Sequence, residues 1–281
     1  MHEIKKAAAI HDLSGFGRCS LTVILPILSA MGVQVCPVPT AVLATHTGGF
    51  GKVEINDLTD FIPRALKKYK ELGINFDAVY SGFLASEKQI DHCLDFFKSY
   101  PGSLKVVDPV MGDHGKVYST YTPELCARMC ELANIADIIT PNVTEAAILL
   151  GEEYRQTLDL ETAKCWLRRL GERASAVVIT GVRLTDESVV NICTGKNDRA
   201  VVECDYVPQD YPGTGDIFTA VLTGGLLRGE ELHAAVDRAT SFTQTAIRAT
   251  YLRAATPRNG VVFEEFLPML TSDYANMQLK H

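Results

Sequence analysis

A glycine-rich turn followed by an acid is the most informative feature of the sequence. Residues 212–222 read Pro-Gly-Thr-Gly-Asp-Ile-Phe-Thr-Ala-Val-Leu, so a tight turn precedes apolar residues at helical spacing. The amides of Gly213, Thr214 and Gly215 would converge at the start of this helix, where they suit an oxyanion or a transferring phosphoryl group. Asp216 beside them could accept a proton from an attacking hydroxyl. An ordinary helix start with an acid in its first turn accounts for the same residues.

Two further sets of acids are candidates for cation binding. Asn142 and Glu145 have the spacing of a capping box, which by itself would only begin a helix. Alternatively, Glu145 orients water on Mg²⁺, which prefers hard oxygen ligands. Asp108 and Asp113 are five residues apart after a buried apolar run, and they could flank a cation or belong to an ordinary turn.

The other motifs are weaker. Gly15 and Gly17 give a G-x-G pattern near the N-terminus, but Ser20 stands where a dinucleotide-binding loop has its third glycine. No acid follows the second predicted strand at the position that such a loop requires. His46 lies between two threonines, and a structural role for a lone histidine on a turn is favoured over a catalytic one.

Short β-type runs alternate with helix-period segments along most of the chain, which predicts an α/β fold with a mostly parallel sheet and helices on both faces. Two late runs close together predict an antiparallel hairpin that turns at residues 195–198. The predicted strands are residues 7–10, 33–38, 78–81, 105–107, 136–140, 176–180, 188–193 and 200–206. The predicted helices are residues 20–31, 57–72, 87–100, 122–132, 143–150, 160–170, 215–228 and 231–250.

This arrangement would bring polar residues from distant parts of the chain to one place. Ligands bind beyond the carboxyl ends of the strands in open α/β sheets, so residues that follow each strand are the candidates. They are His11, Asp12, Thr45 to Thr47, Ser81 to Phe83, Asp108, Asp113, Thr140 to Asn142, Thr180 and Gly181.

Composition excludes several classes of protein. The 281 residues are 47% hydrophobic and carry a net charge of −7 without a Lys/Arg cluster, which disfavours disorder and nucleic-acid binding. The eight cysteines form no C-x-x-C pair, so a zinc ribbon is disfavoured and a reducing cytoplasm is favoured. We expect one domain over residues 1–281, no membrane span, and a polar tail after Leu270 that frays.

The combination of motifs resembles the pyridoxal kinases of the ribokinase superfamily. The glycine turn with Asp216, the Asn142 to Glu145 spacing and the segment from Asp108 to Asp113 carry the resemblance. The segments 45–48, 81–83 and 136–142 support it, and it extends from about Ile10 to Arg248. The resemblance implies a three-layer α/β/α fold and a homodimer. It also implies transfer of the γ-phosphoryl group of ATP to the 5′-hydroxyl of pyridoxal, pyridoxine or pyridoxamine.

The resemblance also implies a role for each matching residue. Asp216 would be the general base, and Gly213, Thr214 and Gly215 would form the anion hole. The remaining roles concern cations, nucleotide and vitamin. Mg²⁺ would be served by Asp113 and Glu145. A monovalent cation (K⁺ or Na⁺) and the phosphates would lie near Asp108, Thr140 and Thr180, and ATP would also lie near Asn142 and Gly181. The vitamin would be held by Thr47, Phe83 and a side chain of the first loop, Asp12 or Ser14.

Three departures from these kinases concern the vitamin. Asp12 stands where a serine is usual, the glycine loop is about one residue shorter so that Ser14 could substitute for that serine, and Phe83 replaces a tyrosine. Other readings are a hydroxymethylpyrimidine or sugar kinase with the same chemistry, a non-catalytic vitamin sensor, and a nicotinamide-dependent oxidoreductase. The retained Asp216 disfavours the sensor, and the incomplete glycine pattern disfavours the oxidoreductase.

Overall fold

Runs of small and β-branched residues form the strands of the central sheet. The computed structural model describes residues 3–195 and 199–271. The strands of this sheet are β1 (Lys6–Phe16), β2 (Gln34–Thr45), β3 (Ile55–Asp57), β4 (Ala78–Ser81), β5 (Leu104–Val107), β8 (Ile138–Ile139), β9 (Ala176–Arg183), β10 (Val189–Thr194) and β11 (Arg199–Cys204). The short strands β6 (Gly112–Asp113) and β7 (Lys116–Val117) pair separately.

The sheet is mostly parallel, which confirms the predicted fold class. Within the described residues its strand order is β11-β10-β9-β8-β5-β4-β1-β2-β3. The six strands from β9 to β2 run parallel, and β3, β10 and β11 pair antiparallel. The pairing of β10 with β11 confirms the predicted hairpin, although residues 196–198 of its turn lie outside the described residues.

Helices cover both faces of the sheet, so the fold has three layers. They are α1 (Leu21–Ala30), α2 (Phe61–Glu71), α3 (Glu87–Ser99), α4 (Pro123–Ala133), α5 (Val143–Leu150), α6 (Leu160–Gly171), α7 (Thr214–Leu227), α8 (Leu232–Leu252) and α9 (Pro268–Thr271). Helices α1, α7 and α8 pack in one apolar core, and α2 to α6 pack in the other. Alternation along a strand divides its side chains between the two cores: Val79 contributes to one and Tyr80 to the other.

Side-chain caps explain why several helices begin where the sequence predicts. Ser86, Thr122 and Asp159 each accept a hydrogen bond from an amide in the first turn of α3, α4 and α6. Helix α5 has the predicted bounds because Asn142 and Glu145 form a complete capping box and Gly151 ends the helix with a φ of 68°.

The structure corrects several predicted bounds. Strand β1 continues from Ile10 to Phe16, so His11, Asp12 and Ser14 lie within the strand and not in a loop after it. Pairing with β2 extends that far because β2 itself continues to Thr45, where Phe16 is its partner. Strand β9 likewise runs through Thr180 and Gly181 to Arg183 because β10 pairs with it there.

Two other predicted elements are shorter than expected. Residues 55–57 form the edge strand β3 against β2, and α2 begins only at Phe61. The predicted strand over residues 136–140 is reduced to Ile138–Ile139. The predicted fraying after Leu270 concerns residues 272–281, which lie outside the described residues. None of the described helices combines the length and the apolar character that are needed to cross a bilayer.

Candidate active site

Backbone hydrogen bonds bring the predicted site segments together at the carboxyl edge of the sheet. The amide of Gly82 donates to the carbonyl of Ile10, and the amide of Asp108 donates to the carbonyl of Ser81. In the same way, the amide of Thr140 donates to the carbonyl of Val107, and Asn142 forms an isolated parallel β-bridge with Thr180. The predicted convergence at this edge is therefore confirmed for the segments after β4, β5 and β8.

The glycine turn is fixed against the segment that joins β1 to α1. Gly213 has a φ of 82°, and a Cβ atom at this position would lie 2.0 Å from the carbonyl oxygen of Arg18. Only glycine fits so close to a neighbouring backbone with this conformation. Gly213 is the N-cap of α7, and no side-chain cap bonds to this end of the helix among the described residues. The first amides of α7 therefore remain available to an anion.

Asp216 lies in the first turn of α7, and both of its oxygens have partners from the N-terminal part of the chain. Its Oδ2 accepts a hydrogen bond of 2.7 Å from the amide of Ser20, and its Oδ1 lies 3.0 Å from Nε2 of His11. The carboxylate is buried except for 11% of its side-chain surface. These contacts set the orientation of the acid without covering it completely.

His11 is among the polar residues expected at the strand ends, but the sequence reasoning predicted no role for it. Its ring lies between Asp216 and Asp12, with Nδ1 2.8 Å from Oδ1 of Asp12. Oδ2 of Asp12 accepts a hydrogen bond of 2.8 Å from the hydroxyl of Ser14. Both oxygens of the buried Asp12 are thus already engaged, and the predicted contact of Asp12 or Ser14 with a substrate stays a prediction.

Asp108 begins the segment after β5 and is buried. Its Oδ2 lies 3.5 Å from the hydroxyl of Thr219, which in turn lies 2.9 Å from the hydroxyl of Thr140. Burial and the charge of Asp216 raise the pKa of Asp108 to about 7. A cation near Asp108 would stabilise its ionised form, because it would offset the repulsion between Asp108 and Asp216.

Glu145 is the centre of the capping box and is also buried next to Asp108. Its Oε2 accepts a hydrogen bond of 2.9 Å from the amide of Asn142, and its Oε1 accepts one of 3.1 Å from Met111. Burial, followed by the charge of Asp108, holds the pKa of Glu145 well above its usual range. The capping-box interpretation is therefore confirmed, and the predicted role toward Mg²⁺ stays a prediction.

Asp113 differs from the other acids because it is exposed in the small β6–β7 hairpin. Its Oδ1 accepts a hydrogen bond from the amide of His114, whose ring lies near the other oxygen. Residues 3–195 and 199–271 contain no group of three His, Cys, Asp or Glu side chains close enough to hold a metal ion. Mg²⁺ is commonly held by one or two carboxylates together with water and substrate phosphates, so the carboxylates and hydroxyls present are compatible with it.

The remaining predicted residues lie around this edge with different exposures. Thr47 is exposed in the segment after β2, whereas Phe83 is half-buried and packs edge-on against Tyr121. Gly181 has a φ of 65°, and its amide donates to the side chain of Asn191. Thr214 is half-buried, and its hydroxyl donates to the carbonyl of Tyr211. The predicted roles of these residues toward nucleotide or substrate stay predictions.

The contacts of His46 are structural. Its Nε2 lies 2.7 Å from the carbonyl oxygen of Arg258, and its Nδ1 accepts a hydrogen bond from the amide of Gly48. Its ring also fills the space beside Gly17, where a Cβ atom would lie 2.2 Å from the imidazole. The ring therefore ties the segment after β2 to residues near the C-terminus.

Comparisons with known proteins give a consistent group of relatives. Residues 25–259 match the family model described as phosphomethylpyrimidine kinase. The chain is 32% identical to the pyridoxine kinase of Bacillus subtilis over 183 residues, which is 64% of the chain and 66% of that enzyme. It is 26% identical to the hydroxymethylpyrimidine/phosphomethylpyrimidine kinase of Haemophilus influenzae over 88% of the chain and 92% of that enzyme. The chain spans 66%, 42% and 30% of the lengths of the first three curated relatives that it matches.

Solved structures show the same fold. A Bacteroides thetaiotaomicron protein described as a phosphomethylpyrimidine kinase, crystallised with pyridoxal, is 44% identical with a TM-score of 0.90 over 95% of this chain and 96% of that one. Pyridoxal kinase from Lactobacillus plantarum is 30% identical with a TM-score of 0.89 over 98% and 99%. An ADP complex of Bacillus subtilis pyridoxal kinase is 25% identical with a TM-score of 0.75 over 88% and 92%.

Proposed function

The chain belongs to the phosphomethylpyrimidine kinase family, and we propose that it is a vitamin B6 kinase acting on pyridoxal, pyridoxine or pyridoxamine. At the coarser level it is a kinase of the group that contains pyridoxal and hydroxymethylpyrimidine kinases. The reaction proposed is transfer of the γ-phosphoryl group of ATP to the 5′-hydroxyl of the vitamin.

The position of Asp216 next to the uncapped first turn of α7 is the observation that carries this proposal. In the proposed step, the substrate oxygen forms a bond to the γ-phosphorus while the bond from that phosphorus to the β-phosphate oxygen breaks. Asp216 accepts the hydroxyl proton, and ADP leaves. The amides of Gly213, Thr214 and Gly215 donate to the oxygens of the group in transfer, where negative charge is spread.

The buried acids near this turn fit the cation that ATP carries. Asp108 and Glu145 are buried, and burial together with the charge of Asp108 raises the pKa of Glu145, so a cation bound near them would be stabilised. We propose that these two carboxylates, with Asp113 and the hydroxyl of Thr140, hold Mg²⁺ and a monovalent cation directly or through water. When Mg²⁺ is bound, it neutralises part of the negative charge of the phosphates.

Other residues of this edge would hold the nucleotide and the vitamin. For ATP we propose Asp108, Asn142, Thr180, Gly181 and Thr214. For the vitamin we propose Thr47 and Phe83, which leave surface accessible after β2 and β4, together with Asp12 or Ser14 of β1.

The choice of a B6 vitamin is supported by the relatives of highest identity among those reported. The structure at 44% identity was crystallised with pyridoxal, and the one at 30% identity is a pyridoxal kinase. Hydroxymethylpyrimidine is the second candidate substrate, because the matching family model and the Haemophilus influenzae relative are named for the pyrimidine. Both substrates offer a hydroxymethyl group on an aromatic nitrogen ring, so the same chemistry serves either one.

One assay separates the two candidates. ATP consumption is measured side by side with pyridoxal, pyridoxamine, hydroxymethylpyrimidine and ribose, each with Asp216→Asn as the control for contaminating kinases. We expect the highest kcat/KM with a B6 vitamin and a loss of at least ~100-fold in kcat for the variant. A higher kcat/KM with hydroxymethylpyrimidine would replace the vitamin proposal. Undiminished turnover by Asp216→Asn would remove this residue from the role of base.

We also propose that the chain is a single domain that forms a homodimer in the cytoplasm. All eight cysteines are free of disulfide bonds, which fits a reducing compartment. Sedimentation velocity at several protein concentrations tests the homodimer, and a monomer at all of them would contradict it.

A further inference from the structure

The ring of His11 connects two carboxylates that lie 204 positions apart in the sequence, Asp12 and Asp216. Nδ1 lies 2.8 Å from Asp12, and Nε2 lies 3.0 Å from Asp216. All three side chains are buried. An imidazole with a carboxylate at each nitrogen makes two charge-assisted hydrogen bonds when it is protonated.

The surroundings of the ring fix its position. Gly82, directly after β4, leaves the space that the ring fills: a Cβ atom there would lie 1.9 Å from the imidazole. The edge of the ring faces Tyr80, whose ring centroid is 6.4 Å away. The sheet therefore holds His11 from one side while the two carboxylates hold its nitrogens.

The groups that face the ring make the imidazolium its stable form. They are Asp12 on the same strand, Asp216 from α7 and the neutral ring of Tyr80, and Asp108 from the segment after β5 interacts electrostatically with the ring. Burial by itself lowers the pKa of His11, but the charge of Asp216 and the hydrogen bonds of both aspartates outweigh it and raise the pKa to about 10. The amides of Asp12 and Phe83 lie 2.9 and 3.3 Å from Nδ1 and Nε2. A neutral ring could accept from only one of these amides, whereas the protonated ring donates to a carboxylate at each nitrogen.

We propose that His11 is a positioning residue for phosphoryl transfer, which orients the carboxylate of Asp216 and places a positive charge beside it. This inference rests on the proposed function, because it assigns Asp216 as the base. His11 binds Oδ1 of Asp216 while the amide of Ser20 binds Oδ2, so the plane of the carboxylate is fixed from two directions. Each oxygen keeps lone-pair capacity for the substrate hydroxyl.

Asp12 has a matching role in this arrangement. A protonated ring has no lone pair, so His11 is not a stopping point for the substrate proton, which stays on Asp216 until product leaves. Asp12 instead holds the second nitrogen and, with Ser14 on its other oxygen, sets the rotation of the ring. The carboxylate that replaces the usual serine of pyridoxal kinases thus has a role toward the ring of His11 besides its proposed contact with the substrate.

Two variants of similar volume separate this role from simple packing. The amide of His11→Gln reaches the position of Nε2 and can still donate to Asp216, whereas that of His11→Asn reaches only the position of Nδ1, facing Asp12. We expect His11→Asn to lower kcat about 10- to 100-fold, with the KM for ATP within about threefold of wild type. We expect His11→Gln to retain at least about fivefold more kcat than His11→Asn at pH 8, with the acid limb of its pH–rate profile moved to higher pH.

The same two variants give the contradicting outcomes. Melting temperatures are measured beside kcat, since loss of a buried charge lowers stability in both. Equal losses of kcat in the two variants, or losses that follow the melting temperatures, would leave His11 with a packing role only. Wild-type kcat in His11→Asn would overturn the proposal directly.

A measurement without substrate keeps this test separate from that of the proposed function. The ¹⁵N shifts of the His11 ring in the wild-type protein report its protonation, and we expect an imidazolium from pH 6 to about pH 9. Asp216→Asn should lower the pH at which it deprotonates. A neutral ring at pH 7 would overturn the positioning role even if the protein phosphorylates pyridoxal. An imidazolium in a protein that phosphorylates none of the four substrates would instead refute the proposed function.

Discussion

Substitution of Gly213 tests whether the glycine turn is docked as the structure has it. A Cβ atom at Gly213 would meet the Arg18 carbonyl oxygen at 2.0 Å, whereas one at Gly229 would meet nothing within 4 Å. Both glycines have left-handed conformations, with φ of 82° and 86°, and they lie at opposite ends of α7. Gly229→Ala is therefore a matched control for Gly213→Ala, since the two share the backbone strain and differ in the space available.

The expected effects follow from these distances. A left-handed alanine costs about 1–2 kcal/mol, which is all that Gly229→Ala should lose in free energy of unfolding. Gly213→Ala adds a backbone shift of about 1–3 kcal/mol, the usual cost of forcing extra volume into a packed site. That shift moves the amides of the turn away from Arg18 and from their common focus. We therefore expect kcat to fall about 100-fold or more, as when a donor to a developing negative charge is lost.

The assay is urea unfolding of wild type and both variants, followed by steady-state kinetics with whichever of the four substrates gives the highest kcat/KM. Gly229→Ala should keep wild-type kcat while losing some stability. If Gly213→Ala unfolds at the same urea concentration as Gly229→Ala and keeps the same kcat, the turn is not seated on Arg18 and the amides are not the anion site.

Three further predictions concern the buried groups of the site. Glu145→Gln should raise the Mg²⁺ concentration needed for half-maximal rate, measured at saturating ATP; a loss of melting temperature alone would leave only its capping role. His11 has a pKa raised to about 10, above the ~6.5 of the unfolded chain, so its stabilisation is complete below pH ~6.5 and is lost as pH rises to 10. Urea unfolding should show a decline near 1.4 kcal/mol per pH unit between pH 7 and 10 that is absent from His11→Gln. Gly82→Ala should displace the His11 ring and lower kcat at least ~10-fold, and the double variant with His11→Ala should unfold at higher urea than Gly82→Ala alone.

Local signals explain which elements the sequence predicts correctly. Helix α5 has its predicted bounds because the Asn142 and Glu145 spacing and Gly151 are caps encoded within ten residues. The order of strands and helices likewise follows from alternating periodicity, and the polar residues at the strand ends follow from the parallel sheet. For the same reason Asp108 and Thr140 are site candidates from sequence alone, whereas Asp216 is a candidate because of the glycine turn before it.

Long-range contacts explain what the sequence reasoning missed. His11, Asp12 and Ser14 are polar, which is typical of a loop, yet they continue β1 because β2 pairs with them and buried partners satisfy their side chains. The link between His11 and Asp216 joins residues 205 positions apart. No periodicity or spacing in the sequence encodes that contact. Gly82 is required because a Cβ atom there would overlap the His11 ring, and this requirement follows only from the folded position of the ring.

The charges buried around the glycine turn are unbalanced in a way that matches phosphoryl transfer. Asp12, Asp108, Glu145 and Asp216 are buried, and two histidines are buried among the described residues, His11 and His46. His11 hydrogen-bonds to two of these acids, whereas His46 bonds to backbone groups of Arg258 and Gly48. Since a carboxylate without a partner destabilises the interior, this arrangement lowers the stability of the protein in the absence of ligand. His11 satisfies Asp12 and Asp216, and the pair that it leaves, Asp108 and Glu145, carries the raised pKa values. The excess charge thus lies at the carboxylates proposed to bind the cation, while Asp216, the proposed base, has His11 as its own counter-charge.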